Sequence, residues 1–265
     1  MADGFAALTV VVVMARHART ARMSIVFEQL SLQRGVQTVL SNLNLHIGRG
    51  EWVGLIGSNG SGKSTLLSAL AGLLPIASGR ILVDGHPAGT LAARRLLGKA
   101  IDPAQLPLGL TGQQLLELVA EARQVGLSVP QDTMALAESF RLTPALTKLI
   151  ATYSLGMKQK LGILAGLIDA PPYWLLDESL NGLDPPSAFV LKQYLQAAQA
   201  RGISTLLATH SLDLAERHFS RVLILADGQM LADWTSDHLA QLRAHPEQSV
   251  EAALVAACMS NPVPA

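Results

Sequence analysis

The sequence predicts an α/β fold with a mainly parallel core sheet, an N-terminal antiparallel β subdomain and an inserted α-helical subdomain. Three observations lead there. Short apolar strands alternate with helix-patterned stretches along most of the chain, the pattern of a buried parallel sheet. Two longer strands with alternating polarity precede them. A Pro-broken, helix-patterned stretch over about residues 91–149, with no convincing strand, separates the early strands from the late ones.

SIVFEQLSL and TVLSNLNLHI alternate apolar and polar residues as strands of an antiparallel sheet do. EWVGLIG is a short buried strand running into a Gly-rich turn, and KSTLLSALAGLL then places apolar residues at helical spacing. RILVDGHPA is another strand, ending in a DG turn. Past the helical insert, YWLLD, ISTLLAT and RVLILADGQM read as strands, separated by the helical PPSAFVLKQYLQAAQA and SLDLAERHF. HLAQLRAHPEQSVEAALVAACM is expected to form one or two amphipathic helices, and NPVPA to fray.

Composition narrows the function classes. A chain of 265 residues can bury a substantial core, and its 49% apolar content is enough to do so. Its 20 basic and 20 acidic side chains cancel, which argues against a nucleic-acid binder relying on a strong overall positive field. The single cysteine, Cys258, allows no internal disulfide and fits a reducing compartment. The apolar run FAALTVVVVMA is shorter than the roughly 18–20 residues a membrane helix needs. Asp3 is the only charge ahead of that run, so it does not read as a signal peptide. Residues 1–22 are expected to be a disordered extension, or to lie upstream of a true start at Met23.

The densest chemical signal is GSNGSGKST, which matches G-x-x-x-x-G-K-S/T, the P-loop. A triphosphate needs several N–H groups aimed at it, and backbone can supply them only where side chains are absent. Gly57, Gly60 and Gly62 permit that wrap, together with Ser58, Asn59, Ser61 and Thr65, and the helix that follows adds its unpaired N–H groups. Lys63 can reach the β- and γ-phosphates, and the Ser64 hydroxyl can ligate Mg²⁺. A chance match in a chain of this length is on the order of one in a hundred from average residue usage.

YWLLDES ends an apolar strand in two acids. Consecutive side chains at a strand end point different ways, so Asp177 can hold Mg²⁺ while Glu178 polarises an attacking water. An isolated acid pair is usually a solvated strand end, and the preceding P-loop is what reverses that reading. Asp184 in NGLDP reads by itself as a helix cap before PPSAFVLKQYL. His210 follows the strand ISTLLAT, where ligands gather in open α/β sheets.

Over about residues 24–233 these motifs, in this order, resemble the nucleotide-binding subunit of ABC transporters, a P-loop NTPase. They are GSNGSGKST, the signature-like YSLGMKQK, WLLDES, NGLDP and ATH. The form SLGMKQKL and the tail QSVEAALVAA are similar to exporters of the ABC-2 type, whose ATPase and membrane subunits are separate chains. The resemblance implies an ATPase domain over residues 23–240, with its helical subdomain at about 91–165, and a short helical tail over 241–265. It implies ATP and Mg²⁺ as cofactors, a second ATPase subunit paired head to tail, membrane permease partners, and a place on the cytoplasmic face of the inner or plasma membrane.

By the same resemblance, Lys63 and the loop amides hold phosphate, and Ser64 and Asp177 serve Mg²⁺. Glu178 is the base and His210 contacts the γ-phosphate. Ser154 and Gly156 reach the partner's ATP, and Asp184 lies at the dimer interface. Two positions depart from the family. Arg34 stands where an aromatic residue usually stacks on adenine, although a guanidinium can also stack. Asp102, with Gln105 a poor alternative, stands where a Gln or Glu usually approaches Mg²⁺. Trp52 belongs to the strand entering the P-loop and is expected in the core. Two other readings of the chain are a soluble ABC-type protein acting on nucleic acid or ribosomes, and a non-hydrolysing regulatory subunit. The single cassette, the absence of a heptad run and the intact Lys63, Asp177, Glu178 and His210 speak against them.

Overall fold

The computed structural model describes residues 23–126, 128–244, 252, 253 and 256. The expectations for residues 1–22, Cys258 and NPVPA, and most of those for the C-terminal tail, lie outside the described residues.

Strands β1 (Ser24–Arg34) and β2 (Gln37–Gly48) form a hairpin, and β1 also pairs antiparallel with β4 (Ser78–Val83). With β5 (His86–Pro87) they make a four-stranded sheet in the order β2-β1-β4-β5. The apolar positions of β1 do not keep a strict period of two. Ile25 and Phe27 are buried, then Leu30 and Leu32. A register shift between Phe27 and Leu30, with Gln29 at φ 47°, absorbs the extra residue and returns the side chains to the core face.

The second sheet has six strands in the order β10-β9-β3-β8-β7-β6. Strands β3 (Trp52–Ile56), β6 (Leu97–Lys99), β7 (Tyr173–Asp177), β8 (Ser204–Thr209) and β9 (Arg221–Ala226) run parallel, and β10 (Gln229–Trp234) is antiparallel to β9. Both faces are covered. Trp52, Ile56, Trp174, Leu176 and Ile224 point into one core, while Val53, Leu55, Tyr173, Leu175 and Leu223 point into the other. That double burial explains why β3 and β8 read as continuous apolar runs. Trp52 is 1% exposed and packs edge-on against Phe219, the core role its sequence position predicts.

Two strand readings need correction. The stretch after Leu91 does contain a strand, β6, at the edge of the parallel sheet. With three residues, one of them Gly98, it carries no readable period. RVLILADGQM is not one strand but parts of two, β9 and β10, which turn at Asp227-Gly228. The helix expected over KSTLLSALAGLL stops early: α1 spans Lys63–Leu70, with Gly72 at φ 69° beyond it.

The remaining helices among the described residues are α2 (Leu91–Leu96), α3 (Gly112–Ala122), α4 (Gln131–Ser139), α5 (Leu155–Leu167), α6 (Pro185–Ala200), α7 (Leu212–Arg217) and α8 (Ser236–Ala244). Thr111 caps α3 with a full capping box to Gln114, which fixes where that helix begins. From Leu161 to Leu167 every residue of α5 is buried. No described helix is long and apolar enough to cross a membrane.

Arg221 fastens the two sheets at the edge opposite the strand C-termini. Its Nε and Nη2 grip both oxygens of Asp233 at 2.7 and 2.6 Å, and Nη1 donates to the His46 carbonyl and to Glu51 at 2.7 and 3.0 Å. These acceptors hold the guanidinium well above its ordinary pKa despite its burial. Removing one partner of a largely buried network leaves the others uncompensated. Arg221→Met is expected to lower unfolding free energy by about 2–3 kcal/mol, measured by urea denaturation. Arg221→Lys should recover only part of it, because an ammonium cannot make the two-pronged contact.

Candidate functional site

The C-terminal ends of β3, β7 and β8 meet at one edge of the six-stranded sheet. Strand β3 is its switch point, with β8 on one side and β9 on the other, and ligands bind at such points in open α/β sheets. Residues 57–62 leave β3 here. Gly57 has room for no side chain, since a Cβ would lie 2.2 Å from the Leu225 carbonyl oxygen and 2.5 Å from Ser61 Oγ. Gly62 caps α1 with a φ of 102°, a conformation glycine adopts at little cost. The chain thus turns tightly into a helix whose first N–H groups lack intrahelical acceptors.

Lys63, the first residue of α1, is 5% exposed. Its Nζ donates to the carbonyls of Gly57 and Ser58 at 2.7 and 3.0 Å. Burial lowers its pKa, and the negative fields of Glu178 and Asp177 oppose that shift. Around it a cavity of about 600 Å³ is lined by Asn59, Gly60, Gly62, Ser64 and Thr65, with Arg34 and Glu178 at its margins. Ser61 is buried within the loop, and Ser58 contributes its carbonyl oxygen to Lys63 and to the Ser61 N–H.

A second cavity, of about 570 Å³, adjoins the first and shares Arg34, Ser64 and Glu178 with it. Asp177 lines it, and Oδ1 of Asp177 is buried with no hydrogen-bond partner among the described protein groups. Glu178 adopts a φ of 47° and is held there by its N–H bond to the Ala208 carbonyl at 2.9 Å. Its Oε1 lies 3.2 Å from His210 Nδ1, and its Oε2 accepts from Asn181 Nδ2 at 3.0 Å. The expected acids and histidine therefore meet at the mouth of the loop.

Asp102 and Gln105 both line the second cavity. Asp102 also caps the 3₁₀ turn Pro103–Gln105, accepting from the Ala104 N–H at 2.8 Å. Arg34, exposed at the end of β1, lines both cavities. Ser154 and Gly156 line neither. Ser154 caps α5 by accepting from the Met157 N–H at 3.2 Å, so within one chain it is spent on its own helix. Asp184 caps α6, accepting from the Ser187 N–H at 2.9 Å, as its sequence context predicts.

Two residues gain significance that sequence did not give them. The Asn181 side-chain amide holds Glu178. The Lys160 Nζ lies 2.7 Å from Asp184 Oδ2. Lys160 closes YSLGMKQK and reaches a carboxylate 24 residues on, while Asn181 opens NGLDP and reaches Glu178 three residues back across the turn, bonds that the motif spacings alone do not assign.

The donor set fits a phosphorylated ligand with a hard cation. Backbone N–H groups and a buried ammonium suit phosphate oxygens. Ser64 and the unpartnered Asp177 oxygen suit Mg²⁺, which is commonly shared between one or two carboxylates and substrate phosphates. No cluster of three or more His, Cys, Asp or Glu able to hold a metal occurs among the described residues.

Comparison with known proteins agrees with this chemistry. Residues 40–181 match the family described as ABC transporter. An uncharacterized ABC transporter ATP-binding protein of Bacillus subtilis (strain 168), YdbJ, is 32% identical over 209 residues, covering 78% of this chain and 67% of that protein. The lantibiotic transport ATP-binding protein SrtF of Streptococcus pyogenes is 30% identical over 207 residues, covering 78% and 88%. A solved structure of the ATP-binding subunit of an ABC transporter superposes with a TM-score of 0.80 at 30% identity, covering 89% of this chain and 100% of that one. The family match takes in more than half of the chain and encloses both the phosphate loop and the acid pair: the protein belongs to the ABC transporter family, as an ATP-binding subunit that hydrolyses ATP.

Proposed function

We propose that this subunit drives an exporter, working as a head-to-tail pair on separate membrane permease subunits at the cytoplasmic face of the membrane. In this reading the cassette spans 23–240, with a helical subdomain at about 91–165 and a helical tail over 241–265. The observation that carries the pairing is the split between two sets of residues. Lys63, Ser64, Asp177 and Glu178 line the two adjoining cavities, with His210 held against Glu178, whereas Ser154 and Gly156 line neither and flank Leu155 at the rim of the second. A helix N-terminus bearing a hydroxyl and a glycine suits anionic oxygen, and the phosphate it would meet belongs to a second copy. Leu108 and Leu149, 50% and 48% exposed, offer apolar surface for a permease on the loops beyond Asp102.

Hydrolysis transfers the γ-phosphoryl group to water. The water oxygen bonds to phosphorus as the bridging P–O bond breaks, ADP departs, and the water's proton needs an acceptor. Glu178 is that acceptor in our reading, with His210 beside it positioned toward the γ-phosphate. Lys63 and the loop amides balance the charge spread over the phosphate oxygens, so catalysis rests on placement and electrostatics. Mg²⁺, held by Ser64 and Asp177 and approached by Asp102, would supply further charge neutralisation. Arg34 would lie flat on the nucleobase.

Glu178→Gln should bind ATP normally yet lose about 10²–10³-fold in turnover, measured as phosphate release. Retention of most of the rate would remove Glu178 from the role of base. Ser154→Arg should cripple hydrolysis while a single subunit still binds ATP. Mixing it with Lys63→Ala should restore part of the rate, because the mixed dimer rebuilds one complete composite site; failure of the mixture to recover activity would count against pairing in trans.

A further inference from the structure

The turn 181–184 is held on one side by a lysine that the hydrolytic chemistry does not employ and on the other by the proposed base. On one side stands the start of α5. Gly156 and Lys160 are one helical turn apart and share a face. At Gly156 the helix comes so close to the turn that a Cβ would lie 2.9 Å from the Gly182 carbonyl oxygen. At Lys160 the ammonium, 12% exposed, bonds Asp184 Oδ2 at 2.7 Å and the Phe140 carbonyl, just beyond α4, at 3.2 Å. The other oxygen of Asp184 is already engaged in capping α6. Lys160 therefore ties three elements at one point.

On the other side stands Glu178. Asn181 bonds it twice, through its N–H to the Glu178 carbonyl at 2.9 Å and through its side-chain amide to Oε2 at 3.0 Å. With His210 on Oε1, each carboxylate oxygen is held by a different segment. The His210 contact comes from the end of β8. The Asn181 contact comes from a turn whose far end is fixed by α5.

We propose that Lys160 and Asn181 are positioning residues, which make the orientation of the Glu178 carboxylate follow the placement of α5 within the same subunit. The same helix start bears Ser154 and Gly156. The proposal rests on the reading of Glu178 as the base.

The test uses the full chain with Lys160→Met, Lys160→Arg, Asn181→Ala and the Met/Ala double variant. Lys160→Met should lower kcat by about tenfold with KM for ATP and affinity for a fluorescent ATP analogue within about twofold, the pattern of an interaction that matters in the transition state. Lys160→Arg should restore most of the loss. Amide hydrogen exchange should quicken at residues 181–184 in Lys160→Met and stay unchanged in β3 and β8. Asn181→Ala should lower kcat similarly, and the double variant should lose no more than the worse single variant, since both cut one path. An unchanged kcat in either single variant, losses that multiply in the double variant, or no recovery with Arg would overturn the proposal. Should Lys160→Met not fold, the kcat and KM of Asn181→Ala decide alone. If Glu178→Gln abolishes turnover while Lys160→Met keeps it, this inference fails and the base stands; if Glu178→Gln keeps its rate, the base reading itself fails.

Discussion

An ammonium buried at the end of the central strand organises this molecule. Lys63 sits where β3 gives way to α1, almost out of contact with water, and a charge in that position needs compensation from every side. Two loop carbonyls take part of it. The acids at the end of β7 take another part through space. What they leave uncompensated suits an anion with several oxygens. The glycines that bring backbone amides inward serve the same anion, and His210 stands at the rim against Glu178.

Much of this was legible in the sequence because the phosphate site is local. Nine consecutive residues carry the loop, and the acids and histidine each end a recognisable strand. Asp184 could be read as a cap because a following Pro and a helical period stand beside it. What escaped reading is short or non-local. β6 has three residues and takes its strand geometry from β7, so no periodicity announces it. The β9–β10 hairpin was hidden because its two arms are both apolar and the Asp-Gly between them was read through. Asn181 and Lys160 escaped because their partners are set by how the turn 181–184 folds back, which no spacing rule encodes.

The antiparallel sheet is attached to the parallel one by polar locks away from the cleft as well as by shared core. Arg221 is one such lock. Arg49 is another: it pairs with Asp84 at 2.6 Å and lies 4.6 Å over the ring of Tyr173, whose hydroxyl donates to the same carboxylate. Burial and the adjacent Asp84 push the Tyr173 hydroxyl well above its usual pKa, so it stays a proton donor. These contacts fix the base of the β1–β2 hairpin while its tip, with Arg34, projects toward the cleft. The base is thus held by side-chain contacts, while Arg34 at the tip lines both cavities.

The cleft beside Asp177 ties the protein's durability to its nucleotide. Its loop, strand ends and helix N-terminus come together only in the folded chain, so a ligand bound there stabilises that state by mass action. Folding and loading then become linked equilibria. Depletion of nucleotide would do more than stop the motor: it would leave a population of subunits nearer to unfolding, and so shorter-lived, than the loaded ones.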